Sequence, residues 1–281
     1  MKLGRFQLHR ISDGEIRLDG GAMFGIVPRV LWERKTEPDE RNRVRLGLNC
    51  LLIRTGNENI LVDTGCGDKY SQKELDIYGI VHPTDVVSEL RRVGLQPQDL
   101  DFVINTHFHF DHCGGNTRWE GDAVVSTFPR ATHVVRREEY EAATNINQRT
   151  AGSYFSHNWE SVEGAGRLRI LEQDAEIVPG VSVVHTPGHT LGHQSVRVES
   201  EGEIVFYLAD LCPTSVHVPL PWIMGYDLFP LTTLETRKRI YPQTIEEEWL
   251  LFFEHDPEIT SGRLSEKEGR FVLEPSDWDD T

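Results

Sequence analysis

No stretch of the 281-residue chain is apolar for long enough to cross a bilayer, and its first ten residues lack the apolar core of a secretory leader. Basic residues are short as well: 29 Lys and Arg stand against 45 Asp and Glu, a formal charge of −16. A surface of that sign repels phosphate backbones, which argues against nucleic acid as a partner. Cysteine is sparse. Cys50, Cys66, Cys113 and Cys212 are widely spaced with no C-x-x-C pair, so free thiols in a reducing compartment are a simpler account than a disulfide framework. Repeats and low-complexity tracts are absent. These absences point to a cytoplasmic protein that acts on a small molecule. Its length and 38% hydrophobic content fit one α/β domain over residues 1–281.

What the chain does have is concentrated between residues 106 and 115, which read Thr-His-Phe-His-Phe-Asp-His-Cys-Gly-Gly. His107, His109, Asp111 and His112 fall within six positions, directly after the apolar run 102–104. Burying three imidazoles and a carboxylate without a cation would leave several polar groups without partners. Imidazole nitrogen and carboxylate oxygen suit zinc, iron or manganese, and ligand identity alone does not separate them. In a sharp loop, alternate residues His107 and His109 can point to one side while Asp111 and His112 swing towards another. Four ligands that cannot all converge on one ion suggest two adjacent ions.

The run resembles the His-x-His-x-Asp-His signature of the metallo-β-lactamase superfamily. Further markers occur in the expected order: Asp63-Thr64-Gly65, then Thr186-Pro187-Gly188-His189-Thr190-Leu191-Gly192-His193, then Asp210 after the apolar run 205–209, then His255 after 249–253. The resemblance spans about residues 45 to 265 and implies a four-layer αββα sandwich. It implies that His107, His109 and His189 hold one ion, that Asp111, His112 and His255 hold the other, and that Asp210 bridges them. Two divalent ions about 3.5–4 Å apart can share a hydroxide that is nucleophilic at neutral pH. Asp111 is then the candidate proton shuttle. Asp63 is expected to orient His109 or another ligand, and His193 to sit in a structural hydrogen bond near the ligands. Cys113 reads as a small packing residue, His133 and His157 as surface or packing residues, and His217 as a group that could touch substrate.

Hydrophobic periodicity predicts strands at 45–54, 59–63, 102–105, 133–135, 181–185, 195–198 and 204–208. It predicts helices at 84–93, stopped by Gly94, at 137–144 and at 232–241, and the acidic end 278–281 reads as a frayed tail. Two segments are unusually apolar for loops, 20–28 and 218–226, and their glycines and prolines argue against a regular core helix in either. They can pack on each other or on a dimer partner. Alternatively Met23, Phe24, Trp222, Ile223, Met224 and Tyr226 form an apolar wall over the metals, suited to an acyl chain. Arg136, Arg137 and Arg149 border a lid-like stretch and read as solvated or salt-bridged.

Length, aspartate bridge and apolar loops look most like the lactonase and organophosphate-hydrolase branch, whose members open lactones or attack phosphotriesters. Lactonases of this kind carry a tyrosine three residues after the bridging aspartate; here that position is Pro213, and Tyr226 is a candidate substitute. A glyoxalase-II-like thioesterase shares the ligand set, but its basic glutathione-binding residues are not evident. A persulfide dioxygenase would hold one iron. A non-catalytic scaffold would have lost ligands, and all seven positions are filled.

Overall fold

The run Cys50-Leu51-Leu52-Ile53 shows no polar alternation because both of its faces are covered. Leu51 and Ile53 enter one core, Cys50 and Leu52 another. A computed structural model describes residues 1–278. One seven-stranded sheet is built from β1 (Lys2–Leu3), β2 (Phe6–Asp19), β3 (Arg43–Arg54), β4 (Asn59–Val62) and β5 (Phe102–Ile104). After a separate ribbon of β6 (Thr117–Glu120) and β7 (Ala123–Ser126), it is completed by β8 (Thr132–Arg136) and β9 (Leu168–Leu171). The second sheet runs in sequence order through β10 (Ala175–Val178), β11 (Val181–His185), β12 (Gln194–Ser200), β13 (Glu203–Tyr207), β14 (Leu250–Phe252), β15 (Ser261–Lys267) and β16 (Arg270–Pro275).

The sheets face each other across one core, in which Leu51, Ile53, Val62 and Ile104 meet Val183, Val196, Val205, Tyr207 and Phe252. Helix Val86–Arg92 covers the outer face of the first sheet through Val86 and Leu90, and helix Pro230–Glu246 covers the second through Ile240 and Tyr241. This is the expected four-layer α/β sandwich. β4, β5, β8 and β9 pair in parallel, as do β13 and β14, and the loops after β5, β13 and β14 carry ligand candidates.

Four local readings change. β2 is a 14-residue strand where no strand was expected, because its pattern is broken by Asp13-Gly14 at a register shift, with Gly14 at φ 91°. Helix Pro230–Glu246 continues past the expected stop at Tyr241 through an exposed Pro242. Segment 20–28 does contain a helical turn, Gly20–Phe24, capped by the Asp19 carboxylate accepting from the Ala22 N–H. Trp278 is not frayed: it packs edge-on against Phe252 with centroids 4.8 Å apart, while 279–281 lie outside the described residues.

Candidate metal centre

β5 delivers the first motif. The chain leaves Ile104 as a buried loop, and Phe110–Cys113 forms one helical turn that projects Asp111 and His112 beside the two earlier histidines. The glycine pair that follows is a packing requirement. A Cβ on Gly114 would lie 1.8 Å from the Cys66 carbonyl oxygen and one on Gly115 2.2 Å from that of Thr64. The other ligand candidates come from the second sheet: His189 after β11, Asp210 after β13 and His255 after β14.

Three donor groups result among the described residues: two face a cavity, and the third gathers Asp63 and Glu254 behind the His112 ring. His107 Nε2, His109 Nδ1, His189 Nε2 and an Asp210 oxygen lie mutually within 4.8 Å, as do donor atoms of Asp111, His112 and His255. In the first set His109 Nδ1 is 3.1 Å from His107 Nε2 and 2.9 Å from His189 Nε2, and Asp210 Oδ2 is 3.0 Å from His189 Nε2. In the second, His112 Nε2 and His255 Nε2 are 3.1 Å apart, and each lies 3.8–3.9 Å from an Asp111 oxygen. Asp210 faces both sets, with Oδ1 3.3 Å from His255 Nε2 and Oδ2 near His189. Buried ring nitrogens aimed at one another at such distances, around a carboxylate whose Oδ1 takes no hydrogen bond, fit divalent cations.

The electrostatics agree. Burial opposes charge on every ring, yet Asp210 outweighs it at His189, held up at about 10, and at His255, at about 9. Burial and neighbouring rings push His107 and His109 well down. Asp210, although buried, is held well below the usual carboxylate range by His189, His112 and His255. Cations entering here displace protons from the rings that carry them.

The outer partners of these rings were only partly foreseen. Asp63 accepts from the Thr106 N–H and hydroxyl at 2.8 and 2.6 Å and faces His112 Nδ1 at 3.2 Å, so it serves His112 rather than His109. His193 Nδ1 contacts the Thr186 carbonyl, and Nε2 accepts from the Asp210 N–H at 3.1 Å; burial pushes this ring down to about 3. Three carboxylates were missed. Asp227 meets His189 Nδ1 at 3.0 Å, Glu254 meets His112 Nδ1 at 2.9 Å, and buried Glu139 ties the Phe108 N–H to the Thr190 hydroxyl. None had a spacing signal. Asp63 (φ 55°) and Ala209 (φ 46°) both hold left-handed backbone beside the ligands.

Above the donors opens a cavity of about 470 Å³ lined by His109, Asp111, His189, Asp210 and His255, with an apolar wall of Leu18, Met23, Leu46, Phe110, Met224 and Leu228. Arg149 and Tyr226 also line it. Phe24 and Trp222 do not. They line a separate cavity of about 900 Å³ that contains no ligand candidate, and Ile223 lines neither. The reason is mutual packing. Phe24 stacks on His217 and Trp32 and meets Trp222 edge-on, and the Gly225 N–H donates to the Ala22 carbonyl at 2.8 Å. His217 is locked between the Met23 carbonyl and the Thr214 hydroxyl and lines the separate cavity, not the one over the donors. His133 and Cys113 are buried packing residues, and Arg136 and Arg137 pair with Asp174 and Glu172.

An αββα sandwich with paired His/Asp donor sets on one rim defines a metal-dependent hydrolase. The sequence profile of the metallo-beta-lactamase superfamily matches residues 43–262, and the chain belongs to that superfamily. It is 33% identical over 226 residues to an N-acyl homoserine lactonase from Bacillus sp, covering 76% of this chain and 82% of that protein. It superposes on a probable metal-dependent hydrolase from Staphylococcus aureus with a TM-score of 0.90 at 31% identity, covering 99% and 100% of the two chains. An N-acyl homoserine lactone hydrolase solved with N-hexanoyl-L-homoserine at its catalytic metal centre gives a TM-score of 0.68 at 29% identity, covering 92% and 95%.

Proposed function

We propose that this protein is a cytoplasmic dizinc lactonase that opens the ring of N-acyl homoserine lactones. The observation that carries the reading is Asp210, whose two oxygens face two separate donor sets on the floor of an apolar cavity. His107, His109 and His189 would hold one ion, Asp111, His112 and His255 the other, and Asp210 both. Zinc suits this set of imidazole and carboxylate donors. Two such ions would supply an activated water and polarise the ester carbonyl. Asp111, buried beside the second set and lining the cavity, carries the proton to the leaving alkoxide. Met23, Leu46 and Met224 take the acyl chain. Tyr226, whose hydroxyl meets no partner among the described residues, steadies a substrate oxygen in place of the tyrosine absent at Pro213. The four cysteines are free and buried, which suits a reducing compartment.

The test pairs elemental analysis with ring-opening assays on lactone, thioester and phosphotriester panels. Two zinc ions per chain with lactone turnover is the expected result, and Asp210→Asn should lose both bound metal and turnover. Two ions without lactone turnover would overturn the substrate. One iron with oxygen consumption would overturn the dimetal reading.

A further inference from the structure

His112 differs from the other histidines of the cluster in what stands behind it. His107 Nδ1 meets the Thr106 hydroxyl, His255 Nδ1 the Gly47 carbonyl and His189 Nδ1 one carboxylate, Asp227. His112 Nδ1 meets two carboxylates, Asp63 at 3.2 Å and Glu254 at 2.9 Å, both fully buried. Their roles differ. Asp63 is occupied by Thr106, whose N–H and hydroxyl it accepts. Glu254 makes no aligned hydrogen bond: its Oε2 faces His112 Nδ1 as a close charge contact, and the Tyr207 hydroxyl lies beside the carboxylate. The backbone that carries Glu254 is fixed, because the Asn49 N–H donates to its carbonyl and the Gly47 N–H to that of His255. A buried carboxylate so placed needs a positive neighbour, and a ring carrying a bound cation supplies one.

Resting on the dimetal reading above, we infer that Glu254 is a positioning residue that makes the Asp111–His112–His255 pocket the tighter of the two and the first to fill. Asp111, Asp63 and Glu254 all serve that pocket. The His107–His109–His189 pocket has only Asp227 against a ring, with Glu139 one step further out on the Phe108 N–H and Thr190 hydroxyl, and Asp210 is shared. In a buried site this excess of negative charge acts almost unscreened. The two carboxylates also fix the ring: with Nδ1 hydrogen-bonded to Asp63 and faced by Glu254, Nε2 presents its lone pair to the ion.

The experiment is a stepwise competition titration of metal-free protein with Zn²⁺ or Co²⁺ alone against a chromophoric chelator. Wild type should bind two ions with distinct affinities. Glu254→Gln should weaken the tighter ion by about 10–100-fold and leave the weaker one in place. Asp227→Asn should weaken the looser ion instead. Fewer than two ions on wild type would defeat the dimetal reading itself. Two ions on wild type with unchanged affinities in Glu254→Gln would overturn this inference alone. If Glu254→Gln does not fold, Asp227→Asn still decides the order: loss of the tighter ion there would reverse it.

Discussion

At the scale of single residues, burial does two different things to histidine here. Beside Asp210 it is outweighed by opposite charge. At His133, on β8, nothing opposes it: the ring is fully buried, has no hydrogen-bond partner, and is pushed down to about 3. The unfolded chain, with an ordinary imidazole, therefore binds the extra proton. Stability from the neutral ring is complete above pH 6.5 and is lost as pH falls from there towards 3. Between pH 7.5 and 5 the loss should be about 2 kcal/mol. His133→Leu should escape it, as urea unfolding of metal-free protein at the two pH values would show. Parallel losses in both proteins would refute the neutral buried ring. The same scale shows what a sequence can disclose. Five of the seven ligand candidates were legible because six adjacent positions and a Thr-Pro-Gly-His run carry a pattern, and Asp210 and His255 because each follows an apolar run. Asp227, Glu254 and Glu139 were not. Each is a lone carboxylate that gains its partner only when distant segments meet.

Elements were legible where their two faces differ in environment in a simple way. β3, β5 and β13 are apolar runs between two covered faces and were found. β2 was hidden by the charged residues around its bulge. The two apolar loops were recognised as unusual, but composition could not say which side chains turn inwards. Helix Gly20–Phe24 decides it, by sending Met23 to the metal cavity and Phe24 to the aromatic stack. Trp222→Ala should consequently cost about 2 kcal/mol of stability and leave metal content and turnover of short-chain lactones intact. Met224→Ala, also buried, should cost stability as well but in addition raise KM for long-chain substrates about tenfold. Thermal unfolding and a chain-length series of substrates would separate the two. A loss of turnover in Trp222→Ala with unchanged stability would return that residue to the substrate wall.

On the scale of the whole molecule, the layered architecture was visible from the order of the motifs, because each motif ends a strand. Four of the seven ligand candidates hang from the first sheet and three from the second. Bound ions would thus join two sheets that otherwise meet through an apolar core. Each ion at a thousandfold excess over its Kd contributes about 4 kcal/mol. For a chain of this size, removing even one should lower Tm by about 10 °C. Calorimetry before and after chelation checks this, and an unchanged Tm would mean that the sheets hold together without the ions.

Ala209 gives that joint an unusual mechanical character. Its left-handed backbone, φ 46°, precedes Asp210 in a position that glycine occupies without cost and alanine does not, by about 1 kcal/mol. The chain therefore reaches Asp210 like a bent leaf spring, with the methyl group of alanine removing the slack glycine would allow. A backbone bent this way, with the Asp210 N–H donated to His193 Nε2, pins the root of the side chain that faces both donor sets.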